Sequence, residues 1–245
     1  MADNFRRDAT RSSLIWDVLR EVVSARVTET GRPQLDITDV GGGTGGLAVP
    51  FAALGHNVTV VDASPDALAA AQRRAAEAGA RLTAVQGDAA SLDGVVGTKS
   101  ADLVICHNVL GYVDSPADAM TAIAAVLRPS ATVSVLAGNT VAAVLQRALA
   151  GRFAEAQLLL ENGGEEAVPR RFTLTALTAL IEGAGLRAGE SHGLRIFRGL
   201  VPAGLLEGDA GGAGGTEALR SLEEAAAVTP PLRDIASQLH VLGHR

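Results

Sequence analysis

Leu35-Asp-Ile-Thr-Asp-Val40-Gly-Gly-Gly-Thr-Gly-Gly46 decides the architecture of this chain. Leu35 to Val40 reads as a short apolar strand, glycines follow at 41, 43 and 45, and Leu47 to Leu54 has the apolar spacing of a helix. Glycine permits positive φ and lets a backbone come close to a ligand. A helix starting at about Gly46 offers free N–H groups and the positive end of its dipole to whatever lies over the turn. A strand, a glycine turn and a helix in this order imply something small and polar at the carboxyl edge of an α/β sheet.

The same alternation extends downstream. Val58 to Val61 is a strand closed by Asp62, and Ser64 caps a helix over Pro65 to Ala78 that carries proline at its first position, where the missing N–H costs nothing. Leu82 to Gln86 and Leu103 to Cys106 give the third and fourth strands, Pro116 to Leu127 a helix that stops before Arg128-Pro129, and Thr132 to Leu136 the fifth strand. Strands alternating with helices of about a dozen residues imply right-handed βαβ units and a parallel sheet with helices on both faces. Upstream, Leu14, Ile15, Val18, Leu19, Val22 and Val23 place an amphipathic helix within Ser12 to Val27. Past the fifth strand the pattern predicts a long helix over Val141 to Leu160, whose Ala and Leu spacing suits core packing, and another over Thr173 to Ala184. A sixth strand is expected within Leu186 to Val201, centred on Gly193 to Leu200. A flexible glycine linker over Gly208 to Gly215, a short helix over Glu217 to Ala227 and a last strand over Leu239 to Leu242 complete the reading.

Composition bounds what such a sheet can serve. The 245 residues suit one large domain, and 47% hydrophobic with 20% charged residues suit a packed core. The start, Met1-Ala-Asp-Asn-Phe-Arg-Arg, has no apolar run behind it and predicts a cytoplasmic product. No run of about 20 apolar residues predicts a membrane span. A single cysteine, Cys106, leaves no intrachain disulfide and no cysteine-based metal cluster, and it reads as a small apolar residue in a buried strand. The net charge of -6, with 21 Lys+Arg against 27 Asp+Glu, lacks the basic field that dominates nucleic-acid binding. Only Arg6-Arg7, Arg73-Arg74 and Arg170-Arg171 form basic doublets, so any RNA contact is expected to be local.

The glycine turn alone leaves two readings open. Gly41-x-Gly43-x-x-Gly46 also satisfies the dinucleotide pattern, and Asp62 at the end of the second strand can accept the ribose hydroxyls of any adenosine cofactor. The wider pattern separates them. Asp39-x-Gly41-x-Gly43-x-Gly45 resembles the signature of S-adenosylmethionine (SAM) methyltransferases in register. Gly87-Asp88-Ala89 is similar to the turn whose carboxylate meets the adenine amine, and Leu127-Arg128-Pro129 to the turn before the fifth strand, with Ser130-Ala131 in place of two glycines. The closing strand fits the antiparallel seventh strand that this superfamily inserts between its fifth and sixth. The chain is identified as a member of the class I SAM-dependent methyltransferases, which implies an α/β, Rossmann-like seven-stranded, mostly parallel sheet with an antiparallel last strand.

A closer resemblance runs along nearly the whole chain. Arg11 ahead of Ile15-Trp16, Gly41-Gly42-Gly43, Asp62-x-Ser64, His107-x-Val109-Leu110 and Asn139 resemble the bacterial tRNA carboxymethoxyuridine methyltransferases in order. So do Gly151-Arg-Phe153, Arg170-Arg171, Gly193-Leu-Arg-Ile-Phe197 and His240-Val241. The resemblance implies that Arg11, Gly41, Gly42, Asp62, Asp88, Ala89 and His107 line the SAM pocket. Asp39, Gly43 and Gly45 of the signature, and Ala63 beside Asp62, are expected there too. Arg11 can fork onto the methionine carboxylate, Asp62 serves the ribose, and Asp88 serves the adenine amine. Two departures bear on the substrate. The chain lacks a proline-rich insertion between Arg171 and Thr173, and it carries Ser237 where those enzymes have a basic residue. With the acidic charge, they argue against tRNA.

Methyl transfer from a sulfonium is an in-line displacement, so positioning supplies much of the rate and no metal is required. A carboxylate acceptor, which the resemblance implies, is already ionised and needs a cation to hold it rather than a base. Arg195, read as lying on the sixth strand, and Arg170 or Arg171 are candidates, each equally readable as a surface arginine. His107 is either a base or a structural histidine, and Tyr112, the one tyrosine, either orients a substrate or caps the pocket. The expected organisation is one domain over 1-245, with an N-terminal helix (1-30), a cofactor-binding core (34-138) and a substrate side (139-245) that includes the linker at 208-215. The expected function is O-methylation of a carboxylate or hydroxyl in a small molecule or a modified tRNA nucleotide. The competing readings are a nicotinamide (NAD) oxidoreductase, which predicts an all-parallel sheet edge and a substrate domain, and a non-catalytic SAM-binding partner subunit.

Overall fold

A computed structural model describes residues 2–163, 169–201 and 213–245, with side chains over the same stretches except 2–13, 213, 214 and 216. In chain order the elements are α1 (Ala2–Thr30), β1 (Asp36–Val40), α2 (Ala48–Ala53), β2 (Asn57–Asp62), α3 (Pro65–Glu77) and β3 (Thr83–Gln86). There follow α4 (Leu92–Val96), β4 (Ala101–His107), α5 (Pro116–Val126), β5 (Leu127–Gly138), α6 (Thr140–Leu149) and α7 (Phe153–Glu161). The chain ends with α8 (Leu174–Gly183), β6 (Arg187–Leu194), α9 (Ala213–Ala227) and β7 (Gln238–His244). The seven strands are ordered β3-β2-β1-β4-β5-β7-β6. The first five pair in parallel. β7 runs against β5: Ser130 N donates to Arg245 O at 3.2 Å and Arg245 N to Ala131 O at 3.0 Å, so residue numbers fall on one strand as they rise on the other. This is the expected Rossmann-like sheet, and its antiparallel edge departs from what an oxidoreductase predicts.

The chain divides into two compact units. One comprises residues 16–136, 178–189 and 241–245. Its strands read as near-continuous apolar runs because both faces are covered, and β4 is buried from Ala101 through Cys106. Register aligns the exits: Val40 pairs with Val61 on one side and Cys106 on the other, so the loops after β1, β2 and β4 leave from one edge. At the opposite edge the Asp102 carboxylate, fully buried, takes Arg26, Arg32, Arg128 and the Asp36 N–H. The helices begin where the sequence places caps. Ser64 Oγ accepts from Ala67 N at 3.3 Å and Ser115 Oγ from Asp118 N at 3.2 Å, each followed by a proline. Leu68, Ala71 and Ala75 bury one stripe of α3.

The other unit comprises residues 1–15, 137–177 and 190–240. Asn139, fully buried, rivets it: its amide nitrogen donates to Asp234 O and Ala236 O at 2.8 Å each, and its amide oxygen accepts from Val141 N at 3.0 Å. The imidazoles of His192 and His240, both buried, stack with their Nδ1 atoms 3.1 Å apart.

Three expectations need correction. The helix read over Val141 to Leu160 is two helices, because Gly151 adopts φ +74 and its N–H turns back to Ala148 O at 3.0 Å. The sixth strand lies at Arg187–Leu194, ahead of its expected centre. Ile196 and Phe197, whose apolar character suggested the strand, instead pack with Ala226 and Ala236, and the N–H groups of Leu200 and Val201 fold back to Phe197 O at 2.8 Å. Arg195 therefore lies just past β6 and not on it. Of the expected linker, residues 208–212 lie outside the described residues, while Ala213 onward is already helix despite its glycines. α4 and the turn of 3-10 helix before it, Ala89–Ser91, carry too short a pattern to be read in advance.

Candidate functional site

The turn after β1 is built from glycines for two different reasons. Gly41, Gly43 and Gly45 have φ of +63, +54 and +78, the left-handed region that costs an L side chain energy. Space divides them further. A side chain on Gly41 would run into Val109, one on Gly42 would lie 2.6 Å from the Asp39 carboxyl carbon, and one on Gly45 would lie 3.0 Å from Val49. Around Gly43 and Gly46, by contrast, a Cβ meets nothing within 4 Å. Gly41, Gly42 and Gly45 are thus packed from below, whereas Gly43 is left-handed and open.

Hydrogen bonds tie the exits of the first three strands together. Gly41 N donates to Val61 O at 2.7 Å and Gly87 N to Asp62 O at 3.2 Å. The Asp62 carboxylate accepts from Gly43 N (2.9 Å) through one oxygen and from Ser64 N (2.8 Å) through the other. Gln86 Nε2 holds Ala63 O at 3.1 Å, and Arg74 Nη1 holds Thr44 by its carbonyl (2.9 Å) and hydroxyl (3.0 Å). Asp88 caps the following turn, accepting from Ala90 N at 2.8 Å, and Ala89 behind it is buried. Asp39, Gly41, Gly42, Gly43, Gly45, Asp62, Ala63, Asp88 and Ala89 are therefore brought to one set of loops. Gln86 and Arg74, which hold that set, escaped the sequence reading because nothing in their local pattern marks a side chain that bonds some 20 to 30 positions away.

Two buried groups near the turn have displaced titrations. Burial first, and then the negative charge of Asp62, push the Asp39 carboxyl up to about 7, against the opposing N–H of Ala48. Burial, and then Asp39, push the Cys106 thiol up to about 12, which leaves it protonated and inert as a nucleophile. His107 ends β4 half-buried, with Nε2 2.8 Å from Ser134 Oγ. Tyr112 is two-thirds exposed at 66%. Among the described residues no group of three His, Cys, Asp or Glu could hold a metal ion, and no helix is long and apolar enough to cross a membrane.

The remaining candidates belong to the second unit. Arg11 lies on α1, its side chain outside the described residues. Arg171 lies across Gly138 at the end of β5, with Nη1 3.1 Å from where a Cβ there would stand. Arg170 is half-buried beside it in sequence. Arg195 is exposed, in a left-handed backbone of φ +60.

Comparison with known proteins agrees with this geometry. A family model described as a methyltransferase domain matches residues 37–130. Over 178 residues the chain is 30% identical to the ubiquinone biosynthesis O-methyltransferase of Xanthomonas axonopodis pv. citri (strain 306), covering 71% of this chain and 70% of that enzyme. This chain belongs to the class I SAM-dependent methyltransferases. It is also 26% identical over 195 residues to the tRNA 5-carboxymethoxyuridine methyltransferase of Escherichia coli O157:H7, covering 76% of this chain and 71% of that methyltransferase. The magnesium protoporphyrin IX methyltransferase of Synechocystis PCC 6803, crystallised with bound S-adenosylhomocysteine (SAH), shares the fold at a TM-score of 0.57 and 16% identity, covering 92% of this chain and 82% of that one. The methyl donor of this methyltransferase is SAM, and the oxidoreductase reading falls with the strand order and the family.

Proposed function

We propose that this methyltransferase holds SAM over the glycine turn and transfers its methyl group to an acceptor oxygen, a carboxylate or hydroxyl in a small molecule or a modified tRNA nucleotide, with an ionised carboxylate favoured. The observation that carries the cofactor half is the bond from Gly43 N to Asp62. It fixes a carboxylate at the carboxyl edge of β2 beside an open, left-handed backbone, and each carboxylate oxygen keeps a lone pair for a ribose hydroxyl. These residues fit an adenosyl group. Asp62 takes the ribose, Asp88 the adenine amine, Gly41 to Gly45 and Ala63 allow close approach, Ala89 backs the ring, and His107 edges the pocket. The resemblance to the tRNA carboxymethoxyuridine methyltransferases assigns the methionine carboxylate to Arg11. Bound SAM supplies an electrophilic methyl on a sulfonium, and the chain's own work is to orient the nucleophile and exclude water.

An ionised carboxylate needs no base, which relieves His107 of that task and leaves it hydrogen-bonded to Ser134. The cation that the acceptor needs is assigned to Arg195, with Arg170 and Arg171 as further candidates. One relative, a ubiquinone biosynthesis O-methyltransferase, supports an oxygen acceptor through its name, and another, a tRNA 5-carboxymethoxyuridine methyltransferase, supports the second substrate type.

The test is calorimetric titration with SAM, SAH and NAD of the wild type and of Asp62→Ala and Arg11→Ala, followed by transfer of labelled methyl to bulk tRNA and to a panel of carboxylic acids and phenols. SAM and SAH should bind, and both substitutions should weaken them at least tenfold. Binding that neither substitution weakens overturns the pocket. SAM binding without transfer to any acceptor replaces this reading with a partner subunit that keeps the pocket and lacks the chemistry.

A further inference from the structure

The turn that follows β6 carries an arginine in a backbone conformation that a side-chain-bearing residue avoids, and two groups hold it there. Arg195 has φ +60. Its carbonyl is held from one side by Ser237, whose Oγ donates at 2.9 Å and whose N–H donates at 3.4 Å. The three N–H groups that follow it are held from the other side by a single carboxylate on α9. Ile196 N donates to Glu223 Oε2 at 2.7 Å, while Phe197 N and Arg198 N donate to Glu223 Oε1 at 3.0 and 2.8 Å. Consecutive N–H groups converging on one carboxylate form a charge-assisted clasp, stronger than neutral bonds of the same length. Gly199 completes the clamp: it lies so close to the Ser237 hydroxyl and the Arg195 carbonyl that a Cβ there would collide with them.

Strain of this kind persists only when its surroundings over-determine it, and it gathers where a side chain must be presented. The presented group is a cation. Arg195 is exposed, and among the described residues its guanidinium enters no ion pair, unlike Arg152, Arg220 and Arg233 of the same unit, which pair with Glu155, Glu217 and Asp234. Ser237 is also the position at which this chain departs from the tRNA enzymes that it resembles, and here its hydroxyl serves the backbone of Arg195.

We propose that Glu223 and Ser237 are positioning residues that clamp the turn after β6 and so hold Arg195 out for the anionic group of the acceptor. The inference rests on the reading of Arg195 as the acceptor's cation. Glu223→Gln replaces one accepting oxygen with an amide that faces N–H donors, which opens the clasp, whereas Glu223→Asp keeps the charge on a shorter stem. Ser237→Ala removes one of the two bonds to the Arg195 carbonyl.

The test compares two nucleoside probes, 5-carboxymethoxyuridine and its uncharged counterpart 5-methoxyuridine, by calorimetry on the full chain in the presence of SAH. The quantity read is the ratio of the two affinities. In the wild type the carboxylate probe should bind more tightly. Arg195→Gly should abolish the preference, and Glu223→Gln should reduce it roughly tenfold, the worth of one charge-assisted bond, with the neutral probe unmoved. Glu223→Asp should restore part of it. In the Arg195→Gly background Glu223→Gln should change nothing further. Arg195→Gly should also melt above Arg195→Ala, since only glycine rests at this φ. If the wild type binds both probes alike, the anionic-acceptor reading fails and takes this inference with it. If the wild type discriminates but Glu223→Gln weakens both probes equally, or acts equally in the Arg195→Gly background, the clamp is merely structural and this inference alone is overturned. Should Glu223→Gln not fold, Ser237→Ala and Glu223→Asp read the same ratio.

Discussion

Replacing Gly41 and Gly43 separately by alanine distinguishes a glycine required by packing from one required by a ligand. Both residues have left-handed backbones, φ +63 and +54, so each substitution carries the cost of an L side chain there, about 1–2 kcal/mol. Alanine returns roughly 0.4–1 kcal/mol of that by restricting the unfolded chain. The net for Gly43→Ala is on the order of 1 kcal/mol, since its Cβ meets nothing within 4 Å. For a chain of this size that lowers Tm by about 2–4 °C. Gly41→Ala adds a collision with the Val109 side chain, and overpacking of this sort costs about 1–3 kcal/mol more. Its loss of stability should therefore be two to four times larger. Affinity for SAM should rank the other way relative to stability. The new methyl group of Gly43→Ala projects into the open space over the turn and disturbs the N–H that holds Asp62, so SAM affinity should fall about tenfold or more in a protein that is nearly as stable as the wild type. Thermal melts of the unliganded variants and calorimetry with SAM measure the two quantities. Gly43→Ala binding SAM as tightly as the wild type, or melting as low as Gly41→Ala, would refute the reasoning.

Two further predictions concern buried carboxylates. Asp39 is raised from an ordinary 3.8 to about 7 in the folded protein, so unfolding releases a proton between those values and wild-type stability should fall as pH rises from about 4 through 7. Asp39→Asn should flatten that decline by a few kcal/mol, on the order of 1.4 per pH unit, in urea melts at pH 5 and 8, and an unchanged slope would show that the proton is not held. Asp102 shows the opposite sign. Burial pushes its carboxyl up, but the Asp36 N–H, Arg32 and Arg128 outweigh burial and hold it below the ordinary range, so its stabilisation is present at neutral pH and is lost as pH falls below about 4. Asp102→Ala leaves three arginines around an empty position and should cost about 3–5 kcal/mol at pH 7, with a shallower acid limb; a loss under 1 kcal/mol would show that Arg26, Arg32 and Arg128 find other partners.

What the sequence made legible follows from how local each signal is. The strand, glycine turn and helix at Leu35 to Leu54 announce themselves within 20 residues, because β1 must be apolar on both faces, the turn must reach positive φ, and the helix must begin at once. The same holds for β2 with the Ser64 cap and for β4. The sixth strand was misplaced because periodicity records that Ile196 and Phe197 are buried and not what buries them. Their partners are Ala226 and Ala236, far along the chain. A strand and a packed turn present the same run of apolar letters, and the feature that stops β6, a left-handed Arg195, belongs to a residue type for which no sequence rule predicts positive φ. The helix break at Gly151 was legible in principle, since a glycine between two apolar helical stretches is the usual C-cap signal, and the continuous Ala and Leu spacing on both sides concealed it.

The two sides of the protein differ in the same respect. The loops that hold Asp62 and Asp88 are fixed by backbone bonds between strand exits, a consequence of register that any sequence with these turns must satisfy, and so the cofactor could be named from spacing. The clamp on Arg195 is made by side chains from α9 and from the residue just before β7, parts of the chain whose order says nothing of their meeting. Ser237 shows the consequence: as a letter it is the loss of a basic residue and argues against tRNA, whereas in the fold its hydroxyl donates to the Arg195 carbonyl. A single exchanged position therefore weighs against tRNA only if its charge was the part that met the substrate, and the hydroxyl that stands here is bonded to backbone.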